Sequence, residues 1–450
     1  MTIEHIFSHI ESHKKQYLEE LFTLIRQPSI SSQNKGVRDC AALLADMVSQ
    51  CYMKTRIIET SGQPIVYGEK IVDKNRPTIL FYGHYDVQPP EPLNLWNSPP
   101  FEPTLKDGKI FARGSVDDKG QLIAHILGLR SCIAVIEDFP LNIKFVFEGE
   151  EESGSPFLDS FVKERKEMLL ADLVFTSDGS MHETGSPDII LGARGLQSIE
   201  ITSYGAKWDN HSGNKGGIVP NPVWPIVSLL ETIRNKNGKI LIKGFYDNIK
   251  KPSKNMMDLI YKLPFNKDRI IETTGYDGFD LDKETYFSRL MFEPTLNING
   301  ITSGYSGDGI KTIIPSKAVL KMDIRLVPDQ DPDDILAKFK THVKKYFPEL
   351  EVTDMGSMKP SITNPDLPVV NIVSKAVERA FEIKPVLVPS MGGSLPNYVW
   401  TKTLGIPSII VPYGNADGAN HSPNENFDVE LFFKGIKCSC SVMCAFAGID

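Results

Sequence analysis

Cysteine is scarce in this chain. Six occur in 450 residues: Cys40, Cys51, Cys132, Cys438, Cys440 and Cys444. That is too sparse for a disulfide framework. The tail cluster Cys438, Cys440 and Cys444 matches no zinc-ligand spacing and lies in an apolar stretch, so all six are expected to be reduced thiols packed as small hydrophobes. Long hydrophobic runs are also missing. No segment approaches the roughly 18 consecutive apolar residues of a membrane span. The opening Met1-Thr2-Ile3-Glu4-His5 carries an early acid and does not read as a secretory leader. No membrane partner is expected, and a cytoplasmic location is. Basic charge is in deficit, with 49 Lys and Arg against 57 Asp and Glu for a formal net charge of -8. Basic clusters are as short as Lys250-Lys251 and Lys344-Lys345. This balance argues against a nucleic-acid partner, while an acidic surface suits an enzyme that gathers metal cations.

What is present is an ordinary globular composition, 41% hydrophobic and 24% charged, over a length that calls for two domains. The first 25 residues carry a helical period in Ile6, Ile10, Tyr17, Leu18 and Leu21. A second helix is expected over 37–53. Strands are expected over 78–82, 143–147 and 173–176, alternating with helices over 120–135 and 156–166. This alternation predicts an α/β domain with a mainly parallel sheet and helices on both faces. The rhythm changes near Gly192-Ala193-Arg194-Gly195. Strands over 196–203, 295–298, 318–326 and 350–354, with helices over 222–234 and 332–346, suggest a small α+β domain of ferredoxin-like type. Residues 236–293 read as irregular. From about 364 the first rhythm resumes, with a helix over 369–381, a strand over 408–412 and a closing helix over 429–446. The expected organisation is a catalytic domain in two parts, 1–194 and 362–450, interrupted by an inserted domain, 195–361.

His, Asp and Glu recur directly after the strands of the α/β domain, where open sheets of this class bind ligands. In Phe81-Tyr82-Gly83-His84-Tyr85-Asp86-Val87 the i, i+2 spacing puts Asp86 beside His84, able to take its second ring proton. In Gly114-Ser115-Val116-Asp117-Asp118-Lys119-Gly120 two acids precede a helix. They read equally as caps or, for Asp117, as a carboxylate bridging two ions. Three consecutive glutamates, Glu150-Glu151-Glu152, follow a buried strand and repel one another unless a cation neutralises them. There Glu152 suits a ligand and Glu151 a general base. Asp178 follows another strand, and His421 sits in the loop Gly418-Ala419-Asn420-His421-Ser422-Pro423-Asn424-Glu425. Each segment alone also fits a turn, a cap or a solvated loop. Together they supply two imidazoles and three carboxylates, a nitrogen and oxygen set that suits zinc, manganese or cobalt. His5, His9 and His13 share one helix face but have no carboxylates at a strand end, and read as an ordinary helix surface.

Gly83-His84-Tyr85-Asp86, Ser115-Val116-Asp117-Asp118-Lys119-Gly120, Glu151-Glu152-Ser153-Gly154, Ser177-Asp178 and Ala419-Asn420-His421-Ser422 together resemble the dinuclear metallopeptidase family of carnosinase-like cytosolic dipeptidases, glutamate carboxypeptidase, aminoacylase and acetylornithine deacetylase. Tyr85-Asp86-Val87-Gln88-Pro89 and Gly304-Tyr305-Ser306-Gly307-Asp308-Gly309 look like the dipeptidase branch. The resemblance implies two divalent ions, zinc first, one held by His84, Asp117 and Asp178 and the other by Asp117, Glu152 and His421. It implies that Asp86 orients His84, that Glu151 is the acid-base residue and that the Asp117-Asp118 peptide is cis. Trp208-Asp209-Asn210-His211-Ser212-Gly213 is similar to the family's lid segment, which makes the inserted domain a lid and dimerisation domain. His211 would then reach the active site of a partner subunit in a homodimer and steady the carbonyl oxyanion. Thr312, Arg325 and Ser394 match positions that contact the substrate carboxylate. Met391 departs from the pattern, where a Glu often stands, and Asn210 replaces an apolar residue beside the lid histidine. The implied activity is hydrolysis of the amide bond of dipeptides or short peptides. An N-acyl amino acid deacylase is the alternative on the same site, and a non-catalytic metal-binding protein is a remote one.

Overall fold

The computed structural model describes residues 2–449. The chain divides into two compact units. The first takes in Met1–Gly192, Ile362–Pro389 and Val399–Asp450, and the second Ala193–Ser361 and Ser390–Tyr398.

The first unit is built on an eight-stranded sheet. Its strands run, in spatial order, Lys54–Ile58, Ile65–Lys70, Asn142–Glu148, Thr78–His84, Leu173–Thr176, Ser408–Ile410, Asp188–Ile190 and Val386–Val388. The four central strands, from Asn142–Glu148 to Ser408–Ile410, are mutually parallel. Their residues are buried on both faces, as continuous Val, Ile and Phe runs require. Alternation along Thr78–His84 sends neighbouring rings to opposite sides. Phe81 packs on His125 of the helix Lys119–Val135, and Tyr82 packs on Trp400 of a π-helical turn, Val399–Leu404. The helix Lys119–Val135 is apolar nearly all round and buried over most of its length. It packs against the closing helix Val429–Ala447 at Gly128. A Cβ there would lie 2.9 Å from Cβ of Ser439, so the close approach needs glycine. The six cysteines are free and buried. Among the described residues no helix is long and apolar enough to cross a membrane.

The second unit has a fully antiparallel four-stranded sheet in the order Thr295–Ser303, Lys317–Leu326, Gly195–Tyr204, Glu351–Met358. With the helices Val223–Ile233 and Pro332–Tyr346 this is the ferredoxin-like arrangement. Ile199, Ile201, Leu320, Met322 and Ile324 from the strands meet Ile226, Leu229, Phe339 and Val343 from the helices in one core. The segment Ser390–Tyr398 goes with this unit. Arg194 Nε donates to Gly392 O at 2.8 Å, and Arg325 Nη1 donates to Ser394 Oγ at 2.8 Å.

Among the differences from the sequence expectation, three bear on the two units as a whole. The N-terminal helix is two helices, Ile3–Ser12 and Lys14–Arg26, parted at His13. Two antiparallel strands, Lys54–Ile58 and Ile65–Lys70, extend the sheet on one side. The outer one is mostly exposed and lacks an apolar period. Helices Lys254–Lys262, Lys267–Thr274 and Lys283–Phe292 occupy the stretch read as irregular. Their caps were visible in the sequence: Ser253, Asn266 and Asp282 each accept a backbone N–H of the first turn.

Candidate metal centre

Parallel strands end together, and the loops beyond their carboxyl ends share one rim. His84 is the last residue of the central strand Thr78–His84, paired in register with Glu148 of the next strand. Beyond Glu148 a 3-10 turn, Glu151–Ser153, carries Glu151 and Glu152. Asp178 lies two residues past the strand Leu173–Thr176. His421 lies in the loop that follows Ser408–Ile410, with a positive φ of 59°. Asp117 immediately precedes Asp118, the N-cap of the helix Lys119–Val135, and the Asp117-Asp118 peptide is cis.

Asp117 stands at the centre. Its Oδ1 lies 3.3 Å from Nε2 of His84, and its Oδ2 lies 3.0 Å from Nε2 of His421. Asp178 Oδ2 is 3.8 Å from the same nitrogen of His84, and Glu152 Oε2 is 3.2 Å from that of His421. Among the described residues, the groups able to hold a metal ion are two: His84, Asp117 and Asp178, and Asp117, Glu152 and His421. The N-terminal histidine row is not one of them. There His9 and His13 stack with ring centres 3.9 Å apart.

Asp86 does more than its spacing suggested. Nδ1 of His84 lies 3.1 Å from the Asp86 backbone oxygen and 3.4 Å from its Oδ1. The same carboxylate accepts the backbone N–H groups of Glu151 and Glu152, both at 3.1 Å. One buried residue thus orients the imidazole, chiefly through its backbone oxygen, and anchors the glutamate turn through its carboxylate. Gln121, which the sequence reading passed over, is buried and joins three rim segments. Its amide donates to Val116 O at 2.7 Å and to Gly179 O at 3.0 Å, and its oxygen accepts Tyr413 N–H at 2.6 Å. Only its place one turn into the helix hinted at this.

The electrostatics are those of acids forced together. Burial and the charge of Asp117 push Asp178 up to about 7. Burial, with Asp178, Glu152 and Asp86 close by, pushes Glu151 well above its ordinary value. Burial disfavours a charged His84, but Asp117 and Asp86 outweigh it and hold the imidazole well up. Hydrogen bonds to Asp117 and Glu152 raise His421 to about 10. The imidazoles are standing in as the positive charge that this set of carboxylates demands. Two divalent cations fit the donor set: one nitrogen and two carboxylates for each, with Asp117 offering one oxygen to either side.

In the second unit the candidate residues form two pairs. His211 pairs with Ile313 across a short ladder, and the backbone oxygen of the adjacent Thr312 accepts Ser212 N–H at 3.1 Å. Nδ1 of His211 accepts Gly213 N–H at 3.0 Å, which puts the ring proton on Nε2. Arg325 binds Ser394, and its Nε lies 3.5 Å from Asp323.

The family model for peptidase family M20/M25/M40 matches residues 80–445. The chain belongs to that family. This M20 peptidase is 32% identical to the Cys-Gly metallodipeptidase dug1 of Schizosaccharomyces pombe, over 100% of this chain and 99% of the relative. It is 26% identical to the Beta-Ala-His dipeptidase of Homo sapiens, over 97% and 91% of the two chains. Among solved structures, the M20 family metallo-carboxypeptidase Sso-CP2 from Sulfolobus solfataricus superposes with a TM-score of 0.91 at 30% identity, covering 96% of this chain and 99% of that one. The dipeptidase Dug1p from Saccharomyces cerevisiae gives 0.86 at 26% identity, covering 100% and 99%.

Proposed function

We propose that this M20 peptidase hydrolyses dipeptides with two divalent metal ions, one held by His84, Asp117 and Asp178 and the other by Asp117, Glu152 and His421. The observation that carries the reading is the Asp117 carboxylate, whose two oxygens face two different imidazoles. When bound, the ions polarise the scissile carbonyl and bring the pKa of a water from 15.7 to about 7. The chain's own residues do the rest. Glu151 takes the proton of the attacking water and passes it to the leaving amine. Asp86 keeps His84 in one tautomer and Glu151 in place. His211 offers its Nε2–H to the carbonyl oxygen as negative charge develops there. Arg325, with Thr312 and Ser394, receives the substrate carboxylate, for which its planar fork is suited.

The dipeptidase relatives support dipeptides, ahead of N-acyl amino acids, as the substrates. Zinc is the first choice of metal, with manganese or cobalt able to use the same donors. A homodimer is supported by the outer strand Thr295–Ser303, which ends its sheet with Ile298 and Ile301 exposed, and by exposed Trp224 on the helix Val223–Ile233. A cytoplasmic location is supported by six free thiols. The test is turnover after metal removal by a chelator and add-back of Zn2+, Mn2+ or Co2+, on a panel of dipeptides, longer peptides and N-acetyl amino acids. Dipeptide cleavage that disappears with the metal and returns with it is expected. A protein with two bound ions that cleaves only N-acetyl amino acids, or nothing, would refute the reading.

A further inference from the structure

We infer that Glu425 is a positioning residue for the metal centre: its carboxylate sets the backbone on which Asp117 is mounted and ties it to the loop of His421. The inference rests on the two-metal reading above. Glu425 is fully buried, four residues past His421, and acts neither as a ligand nor as a proton carrier in that reading. Each of its oxygens takes two donors. Oε2 accepts from Arg113 Nη1 at 2.6 Å and Gly114 N at 3.0 Å. Oε1 accepts from Val116 N at 3.0 Å and Asp117 N at 3.1 Å. The segment leading into the shared ligand is therefore wrapped around one side chain. The backbone repeats the tie. Ala112 N donates to Glu425 O at 3.0 Å, and Asn426 N closes the His421 loop onto Gly418 O at 2.8 Å.

Four donors converging on two oxygens require an anion. A neutral amide of the same shape has one accepting oxygen and turns its NH2 toward two N–H donors. Burying the Glu425–Arg113 pair gives the fold little, because desolvation offsets the attraction. The arrangement makes better sense as a device that fixes geometry. Outer partners of metal ligands change metal affinity by about 10- to 100-fold. Asp117 belongs to both candidate groups, so both ions should feel the loss.

The test uses the full metal-free chain, titrated with Zn2+ in competition with a chromogenic chelator, for wild type, Glu425→Gln and Glu425→Asp. Expected is weakening of both binding steps by about 10- to 100-fold in Glu425→Gln, with Glu425→Asp in between. The visible absorption of the Co2+ form gives a readout that a change in stability leaves alone. It should shift in Glu425→Gln, because ligand geometry sets it. Wild-type Zn2+ affinity together with an unshifted Co2+ spectrum in Glu425→Gln would overturn the inference. If that variant does not fold, unchanged affinity and spectrum in Glu425→Asp would do so. A wild-type chain that takes up fewer than two Zn2+ would instead bring down the two-metal reading.

Discussion

The two compact units differ in how they bury their candidate residues, with His421 the exposed exception in the first. In the eight-stranded unit His84, Asp86 and Asp117 are buried, and each is held by partners that are themselves held. In the four-stranded unit His211 and Thr312 are exposed, and Arg325 and Ser394 are half-buried. Burial costs a carboxylate its hydration, so acids are packed together only where opposite charge compensates them. Exposure leaves side chains free to adapt, which suits groups that meet a substrate. On the proposed reading, metal holding and proton transfer would fall to one unit and substrate contact to the other.

The sharpest way to break that division is Glu151→Gln. Two ions should remain bound while kcat falls by about 10²- to 10⁴-fold. Elemental analysis beside steady-state kinetics checks this, and near wild-type turnover would remove Glu151 from the chemistry. His211→Ala should lower kcat by about 10²- to 10³-fold with metal content intact. Loss of metal in that variant would contradict the division. Arg325→Ala should lower kcat/KM by about 10- to 100-fold, mainly through KM. A dipeptide with an amidated C-terminus should show that loss already in the wild type and no further loss in the variant; an extra drop would assign Arg325 another partner.

Much of the first unit was legible because its pattern is backbone-driven. Buried strands read as apolar runs, and a chemically active residue after each run marks the rim. Four of the five candidate ligands lie between His84 and Asp178 and the fifth is the distant His421, yet all were visible as His, Asp or Glu just past a strand or before a helix. Gln121 and Glu425 were not legible in their roles. Their contacts run across 292 and up to 312 residues of chain, and neither amide nor acid carries a local pattern for such reach. The three helices over 254–292 went unread, and the shortest of them, Lys267–Thr274, buries none of its residues.

The smallest expected effect sharpens the contrast through stability. His125 lies in the core of the eight-stranded unit, its Nδ1 2.9 Å from Ser439 Oγ, and burial pushes its imidazole down to about 3. The unfolded chain takes up a proton near pH 6.5 that the folded chain refuses. This stabilising contribution is complete above that pH. It falls by roughly 1 kcal/mol per pH unit as the pH drops from about 6 toward 3. Denaturant midpoints at pH 7, 6 and 5 measure it. His125→Gln should flatten the slope by about one proton; an unchanged slope would place the acid sensitivity elsewhere.

The order of the candidate ligands along the chain has a consequence for biosynthesis. Positions 84, 117, 152 and 178 leave the ribosome more than two hundred residues before His421, and the central strand Ser408–Ile410 emerges just ahead of that histidine. A nascent chain therefore presents a crowd of carboxylates with a single imidazole and a gap in its sheet. The second candidate triad comes into being only once His421 has followed the other segments out, so ion uptake there would wait for a sheet that already has its last inner strand.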